Sequence, residues 1–276
     1  MAILRPISVC AILLALVLTA PAALAEGATN GWTDVAEFSL VASDGNAKST
    51  SLGFKNTLAK TSEKSLWTFN AGGIRVESTT FNRSVVGGVP VESESSDTTA
   101  ESYYLNGRYD RKITDSLFWF GGAGWDRNEP AGIKDRYIAE AGLGNTWFES
   151  DDHVFKTLYG VTFTDQEDTS GVSDDFLGAR FSWDYLNKLG ANTTYTNVLV
   201  LDANLDESSD WRGNMQNGLA VAMSEKLALK LGLQLLYDNE PAILLLANDV
   251  PPPEFVPFQL DELDTIFTAS LVVNFK

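Results

Sequence analysis

From Leu177 to Tyr185 the chain alternates without a break: Leu177, Ala179, Phe181, Trp183 and Tyr185 fall on one side of an extended backbone, and Gly178, Arg180, Ser182 and Asp184 on the other. A strand, whose side chains repeat every two residues, separates these sets, whereas a helical repeat of 3.6 would mix them. An apolar face backed by a charged one suits a wall between lipid and a polar interior. The same alternation recurs in Leu227, Leu229, Leu231, Leu233, Leu235 and Tyr237 against Ala228, Lys230, Gly232, Gln234 and Leu236, and in Tyr137, Ala139, Ala141 and Leu143 against Glu140 and Gly142.

Read in this way, the chain divides into about 12 segments at residues 32–43, 48–60, 65–78, 99–112, 116–126, 135–149, 154–165, 175–185, 191–201, 210–221, 227–237 and 263–275. Spanning a bilayer with a tilted strand takes about 9–11 residues, and these segments are long enough. Short joints (61–64, 113–115, 150–153, 186–190, 222–226) alternate with longer ones (79–98, 127–134, 166–174, 202–209, 238–262). The hairpin through Asp44-Gly45-Asn46 is shorter but falls on the long-loop side. That asymmetry is the pattern of a membrane barrel with short periplasmic turns and long outer loops. An even number of strands with both termini periplasmic follows. A soluble β-sandwich shares the alternation but explains neither the loop asymmetry nor Trp125, Tyr137, Trp147, Trp183, Tyr185, Trp211 and Tyr237 near strand ends, where interfacial girdles are expected.

Export is expected from the first 25 residues: Arg5, an apolar run from Val9 to Leu18, then Ala23-Leu24-Ala25 before Glu26. This is a signal peptide at 1–25 ahead of a barrel domain at 26–276, because the run is too short for a spanning helix. Cys10 precedes most of the apolar run, so cleavage ahead of it for lipidation would discard the export signal. As Cys10 is the only cysteine, the mature chain holds together without disulfides. Loss of Arg5 takes the formal net charge from −17 to −18, a poor match for nucleic acid, whose phosphates would repel the chain. With no later apolar stretch near 20 residues, membrane residence requires closed strands, the one alternative to helices that satisfies backbone polar groups in lipid. The fold class is therefore all-β: a transmembrane antiparallel up-and-down β-barrel. The closing Leu271-Val272-Val273-Asn274-Phe275-Lys276 resembles the assembly signal of outer-membrane barrels, although such chains usually end on the aromatic itself.

Several segments together resemble the bacterial family of salt-induced outer-membrane proteins, a family of unknown function. They are the Gly45-Asn46 turn, Tyr103-Tyr104-Leu105-Asn106-Gly107-Arg108-Tyr109-Asp110, Ala141-Gly142-Leu143-Gly144, Leu235-Leu236-Tyr237-Asp238-Asn239-Glu240-Pro241 and the closing strand. The resemblance implies a single outer-membrane barrel and brings no catalytic motif.

Chemistry is harder to find. His153, beside Asp151 and Asp152, sits in an expected periplasmic turn, where a solvated histidine is the simple reading. A triad or metal site needs partners converging in a pocket. An all-carboxylate mechanism stays formally open, but no catalytic residue, cofactor or metal ligand is assigned, and a hydrolase ranks third. Acids gather in the outer loops at Glu92, Glu94 and Asp97, at Asp165, Glu167, Asp168, Asp174 and Asp175, and at Asp202, Asp206, Glu207 and Asp210. They are read as solvated charge, with divalent cations as the alternative occupant. Asn82-Arg83-Ser84 and Asn192-Thr193-Thr194 fit a glycosylation pattern that carries no weight in a bacterial barrel.

The expected lumen-lining residues are Arg108, Asp110, Glu140, Lys156, Arg180, Asp184, Arg212, Gln216, Lys230 and Gln234. Such charges either pair and close the lumen or line a water-filled path. A small channel or envelope-integrity component is the leading expectation, and a non-conducting barrel binding through its outer loops is the rival. The expected partners are outer-membrane lipids and, through the last strand, the barrel-assembly machinery. A charge introduced at Phe181 is expected to be worse tolerated than neutralisation of Arg180. The loop at 238–262, with Ala242 to Ala247 apolar and Pro251-Pro252-Pro253 stiff, is expected to pack over the barrel mouth, fold inward or meet lipid or a partner, unless it merely lengthens the eleventh segment. The protein should fractionate with outer membranes and change gel mobility on heating in detergent. Recovery as a soluble periplasmic protein would rule out the barrel.

Overall fold

A computed structural model describes residues 31–43, 48–86, 89–129, 132–241, 243–247, 255–259 and 262–275. The expected signal peptide, the Gly45-Asn46 turn and the Pro triplet lie outside these residues. Among the described residues fourteen strands run in chain order: β1 (Gly31–Ser43), β2 (Lys48–Thr61), β3 (Ser65–Val86), β4 (Val89–Lys112), β5 (Leu117–Asn128), β6 (Ile133–Glu149), β7 (His153–Asp168), β8 (Ser173–Lys188), β9 (Thr193–Asn204), β10 (Trp211–Ala222), β11 (Leu227–Asp238), β12 (Ile243–Ala247), β13 (Phe255–Gln259) and β14 (Leu263–Phe275). Twelve of them close a barrel, each pairing antiparallel with its sequence neighbour until β14 meets β1, while β12 and β13 form a separate two-stranded sheet.

Two expected loops are corrected. Residues 79–98 are mostly strand: β3 and β4 continue pairing out to Val86↔Val89, well past Thr79, where β2 stops, and past Ser102, where β5 stops. A register shift between Val76 and Glu77 marks a bulge near the point where this two-stranded ribbon leaves the barrel. The loop at 238–262 contains the β12–β13 hairpin, paired from Ile243↔Gln259 to Ala247↔Phe255.

The wall has the two faces that the alternation requires. Phe38, Phe54, Phe69, Trp119, Tyr159, Phe163, Leu177, Leu231 and Phe267 stay exposed. Thr68, Asn106, Arg108, Asp126, Glu140, Arg180 and Asp184, on the opposite parity, are buried. On a closed barrel the first set faces outward. Near the ends of the strands on the terminal side, Trp67 lies 4.5 Å from Tyr109, Tyr109 5.4 Å from Trp119, Phe155 6.3 Å from Tyr185 and Tyr185 6.3 Å from Tyr195. At the other rim the Trp211 and Tyr237 rings lie 4.6 Å apart, tilted by 31°, and Trp125 Nε1 donates to Asp135. These are two aromatic belts, with the amphipathic rings where lipid gives way to water. Tight turns close the lower rim, for example Ser150 N to His153 O at 2.8 Å and Leu189 N to Thr193 O at 2.9 Å.

Inside, Phe118, Phe120 and Leu158 form an apolar cluster toward the end of the barrel that carries the chain termini. Glycines make the room for it. A Cβ at Gly144 would overlap the Phe118 ring, and one at Gly142 would stand 2.7 Å from Phe120 Cζ. Gly144→Ala should therefore reduce the folded, heat-modifiable fraction, and Phe118→Leu in the same chain should restore part of it. Equal yields for wild type and Gly144→Ala would show that the ring moves aside freely.

Candidate functional site: the charged lumen

The strongest chemistry lies across the interior from β4 to β9. Arg180 on β8 reaches two neighbours at once: Nη1 donates to Glu140 Oε2 on β6 at 2.8 Å, while Nε and Nη2 make a fork to Asp202 on β9 at 2.6 and 2.9 Å. Arg136 on β6 makes the same fork to Asp126 on β5 at 3.0 and 2.9 Å. Arg108 on β4 holds Asp110, two residues along its own strand, at 2.8 and 3.0 Å, and its guanidinium lies 5.1 Å from the Phe120 ring centre. Such planar, doubly bonded pairs use the geometry that arginine has and lysine lacks. Register sets Lys156 of β7 opposite Asp184 of β8.

Burial gives these pairs their structural weight. Arg108, Arg136, Glu140, Arg180 and Asp184 are each less than a tenth exposed. Every charge there needs its partner, since a lone buried ion loses its hydration without return. Glu140 Oε1 and Asp184 Oδ1 are buried without a hydrogen-bond partner.

The remaining wall is looser. Lys230 on β11 crosses β14 to reach Glu37 on β1 at 2.9 and 3.0 Å, with its side chain 27% exposed. Arg212 on β10 is 25% exposed and lies 3.4 Å from both Asp210 and Asp238. Gln216 and Gln234 are half-buried, and Gln234 donates to Asn214 at 3.1 Å. All ten residues singled out in the sequence thus sit on the inward parity. Sequence reading missed Glu37, Asp126 and Arg136, which occupy the same parity and complete the pairs.

Several acids assigned to outer loops lie in strands: Asp165, Glu167 and Asp168 close β7, and Asp174 and Asp175 open β8. Asp202 lies in β9 and serves Arg180, because the strand runs on to Asn204. Asp210 is buried, accepting from Asn204 Nδ2 at 3.1 Å. Asp168 organises its own loop, its Oδ1 accepting from Ser170 N, Ser170 Oγ and Val172 N, with Gly171 at the left-handed φ of 86° that closes the turn. Glu92, Glu94 and Asp97 fall in the extended ribbon. Among the described residues no cluster of three or more His, Cys, Asp or Glu could hold a metal ion. His153 is exposed at the lower rim, its N–H bonded to Ser150 Oγ.

The pattern of a family of proteins of unknown function, DUF481, matches residues 36–275, nearly the whole barrel. The chain belongs to the DUF481 family. YdiY of Escherichia coli (strain K12) is 24% identical over 227 residues, 82% of this chain and 77% of that protein. Among solved structures, this DUF481 chain is similar to the NanC porin, with 13% identity, a TM-score of 0.47 and coverage of 88% of this chain and 99% of that one. It is also similar to an outer membrane channel from Pseudomonas putida F1, with 11% identity, a TM-score of 0.47 and coverage of 93% and 100%. The translocator domain of the autotransporter NalP from Neisseria meningitidis aligns with 10% identity, a TM-score of 0.47 and coverage of 91% and 90%. This DUF481 protein, with its even strand number and apolar exterior, has the build of an outer-membrane β-barrel.

The burial of Arg180 changes what its neutralisation should cost. Arg180→Met strands Glu140 and Asp202, a loss of about 3–5 kcal/mol, comparable with the roughly 2–4 kcal/mol of a charge placed on the lipid face at Phe181. Adding Glu140→Gln and Asp202→Asn should recover much of it. Urea midpoints of the lipid-refolded barrel measure both steps, and an unchanged midpoint for Arg180→Met would refute the pairing.

Proposed function

We propose that the protein is exported by residues 1–25, inserts as a barrel at 26–276 with the help of its last strand, and acts as a narrow channel whose aqueous path follows one wall. The observation that carries this reading is the contrast between the two sides of the lumen. From β4 to β8, Arg108, Asp126, Arg136, Glu140, Arg180 and Asp184 are packed away from solvent, and Asp202 on β9, 34% exposed, is the open end of that network. On β10, β11, β1 and β2, Arg212, Gln216, Lys230, Gln234 and Lys55 keep part of their surface open. A charge that is fully paired and dry braces the wall, whereas one that keeps contact with water acts on passing ions. Selectivity then rests with Lys230, Glu37, Lys55 and Arg212, and rigidity with Arg108, Arg136 and Arg180.

Single-channel recording in planar bilayers tests the assignment. Steady, small conductance is expected, and Lys230→Glu should move the reversal potential toward cation preference. Glu140→Gln, on the packed side, should lower stability and leave selectivity alone. Absence of conductance from a correctly folded barrel would favour the surface-binding alternative instead.

A further inference from the structure

The outward wall carries a polar cluster where apolar side chains would suffice. On β8, β9 and β10 the odd-numbered residues face outward, as Leu177, Leu199 and Leu219 do. Asn197 and Asn217 share that parity and stand opposite each other in register. Trp183 Nε1 donates to Asn197 Oδ1 at 2.6 Å, Asn197 Nδ2 to Asn217 Oδ1 at 2.9 Å, and Tyr195 Oη to the same Asn217 oxygen at 2.8 Å.

The direction of this chain is fixed by its first member. An indole N–H only donates, so Trp183 selects the oxygen of Asn197. The nitrogen of Asn197 is thereby turned to Asn217 and selects its oxygen in turn. Asn217 Nδ2 is left as the free end, with no acceptor among the described residues, on a side chain that is half-buried on the outward face.

Depth and chemistry together define what meets that nitrogen. Tyr185, opposite Asn197, and Tyr195 belong to the aromatic belt at the rim that carries the chain termini, the level at which headgroups give way to acyl chains. Toward the midplane the same face continues as Leu199, Leu201 and Met215, and an amide N–H turned to hydrocarbon goes unsatisfied at a cost. Both amide oxygens are already filled, so the occupant must bring an acceptor and needs none in return. The ester carbonyl of a diacyl phospholipid is such an acceptor, and its own group carries no N–H or O–H. A second copy presenting the same patch would set amide donor against amide donor, with the Tyr195 hydroxyl as the acceptor left over.

We infer that Trp183, Asn197, Asn217 and Tyr195 form a site on the outside of the barrel for the glycerol ester of a phospholipid, in the leaflet next to the chain termini, with Asn217 Nδ2 donating to the ester carbonyl oxygen. This goes beyond the channel reading and does not depend on conduction.

Replacing the carbonyl tests the site. The barrel is refolded into vesicles holding equal amounts of a diacyl phosphatidylethanolamine and its dialkyl ether analogue, which has the same headgroup but no carbonyl oxygen. It is then released into mild detergent, and the folded, heat-modifiable protein is weighed intact with its retained lipid by native mass spectrometry. Wild type is expected to retain the diacyl lipid several-fold over the ether lipid, and Asn217→Leu to retain the two equally. Leucine suits a lipid-facing position, so this variant keeps the fold. Wild type that holds both lipids alike, or neither, would overturn the site and leave belt water as the partner of the free amide. Enrichment that persists unchanged in Asn217→Leu would overturn it as well. Wild-type dimers that come apart in Asn217→Leu would give the patch to a second copy instead.

Discussion

A peptide group in hydrocarbon has no water to bond, and that penalty organises the whole molecule. Alternating residues give each strand one face for lipid, but the backbone of a single strand is satisfied only when both its edges are paired. Closure into twelve strands is the answer, and it forces everything polar that the strands carry into one confined interior. The exposed aromatic exterior and the buried charged interior are therefore consequences of one requirement.

Once gathered inside, the charges face a second constraint, because a narrow lumen cannot hydrate them all. Arginine resolves it on one side by bonding two acceptors at once, as Arg180 does between β6 and β9. These bonds tie strands that do not all pair directly, so the interior adds cross-bracing to a wall otherwise held by neighbour-to-neighbour ladders. On the other side the lysine pair Lys230–Glu37 remains partly wet. The packed half and the wet half differ in what a substitution would disturb: the standing of the wall, or the traffic along it.

Much of this was legible in the sequence. Strands with an apolar lipid face announced themselves through period two. The β3–β4 ribbon was not legible, because beyond the membrane it needs no apolar face: Glu92, Ser93, Glu94, Ser95 and Ser96 read as loop although their backbones pair. Asp202 was misplaced because the apolar run before it ends at Leu201, while the strand goes on. Partners across the lumen are hidden for a different reason. Glu140 and Arg180 stand 40 residues apart, and Glu37 and Lys230 193, separations set by the circumference of the barrel and carrying no local signature.

The ribbon has a mechanical consequence. Its strands run seven residues beyond Thr79, where the support of β2 ends, a cantilever of roughly 23 Å at about 3.3 Å per residue. The bulge at Val76 and Glu77 lies near its root, where a ladder interrupted by one extra residue bends most easily. A push at the tip is absorbed there as flexure before it reaches Arg108 and Asp110 lower on β4. Whatever the outermost part of the protein strikes or grips, the interior is sprung against it.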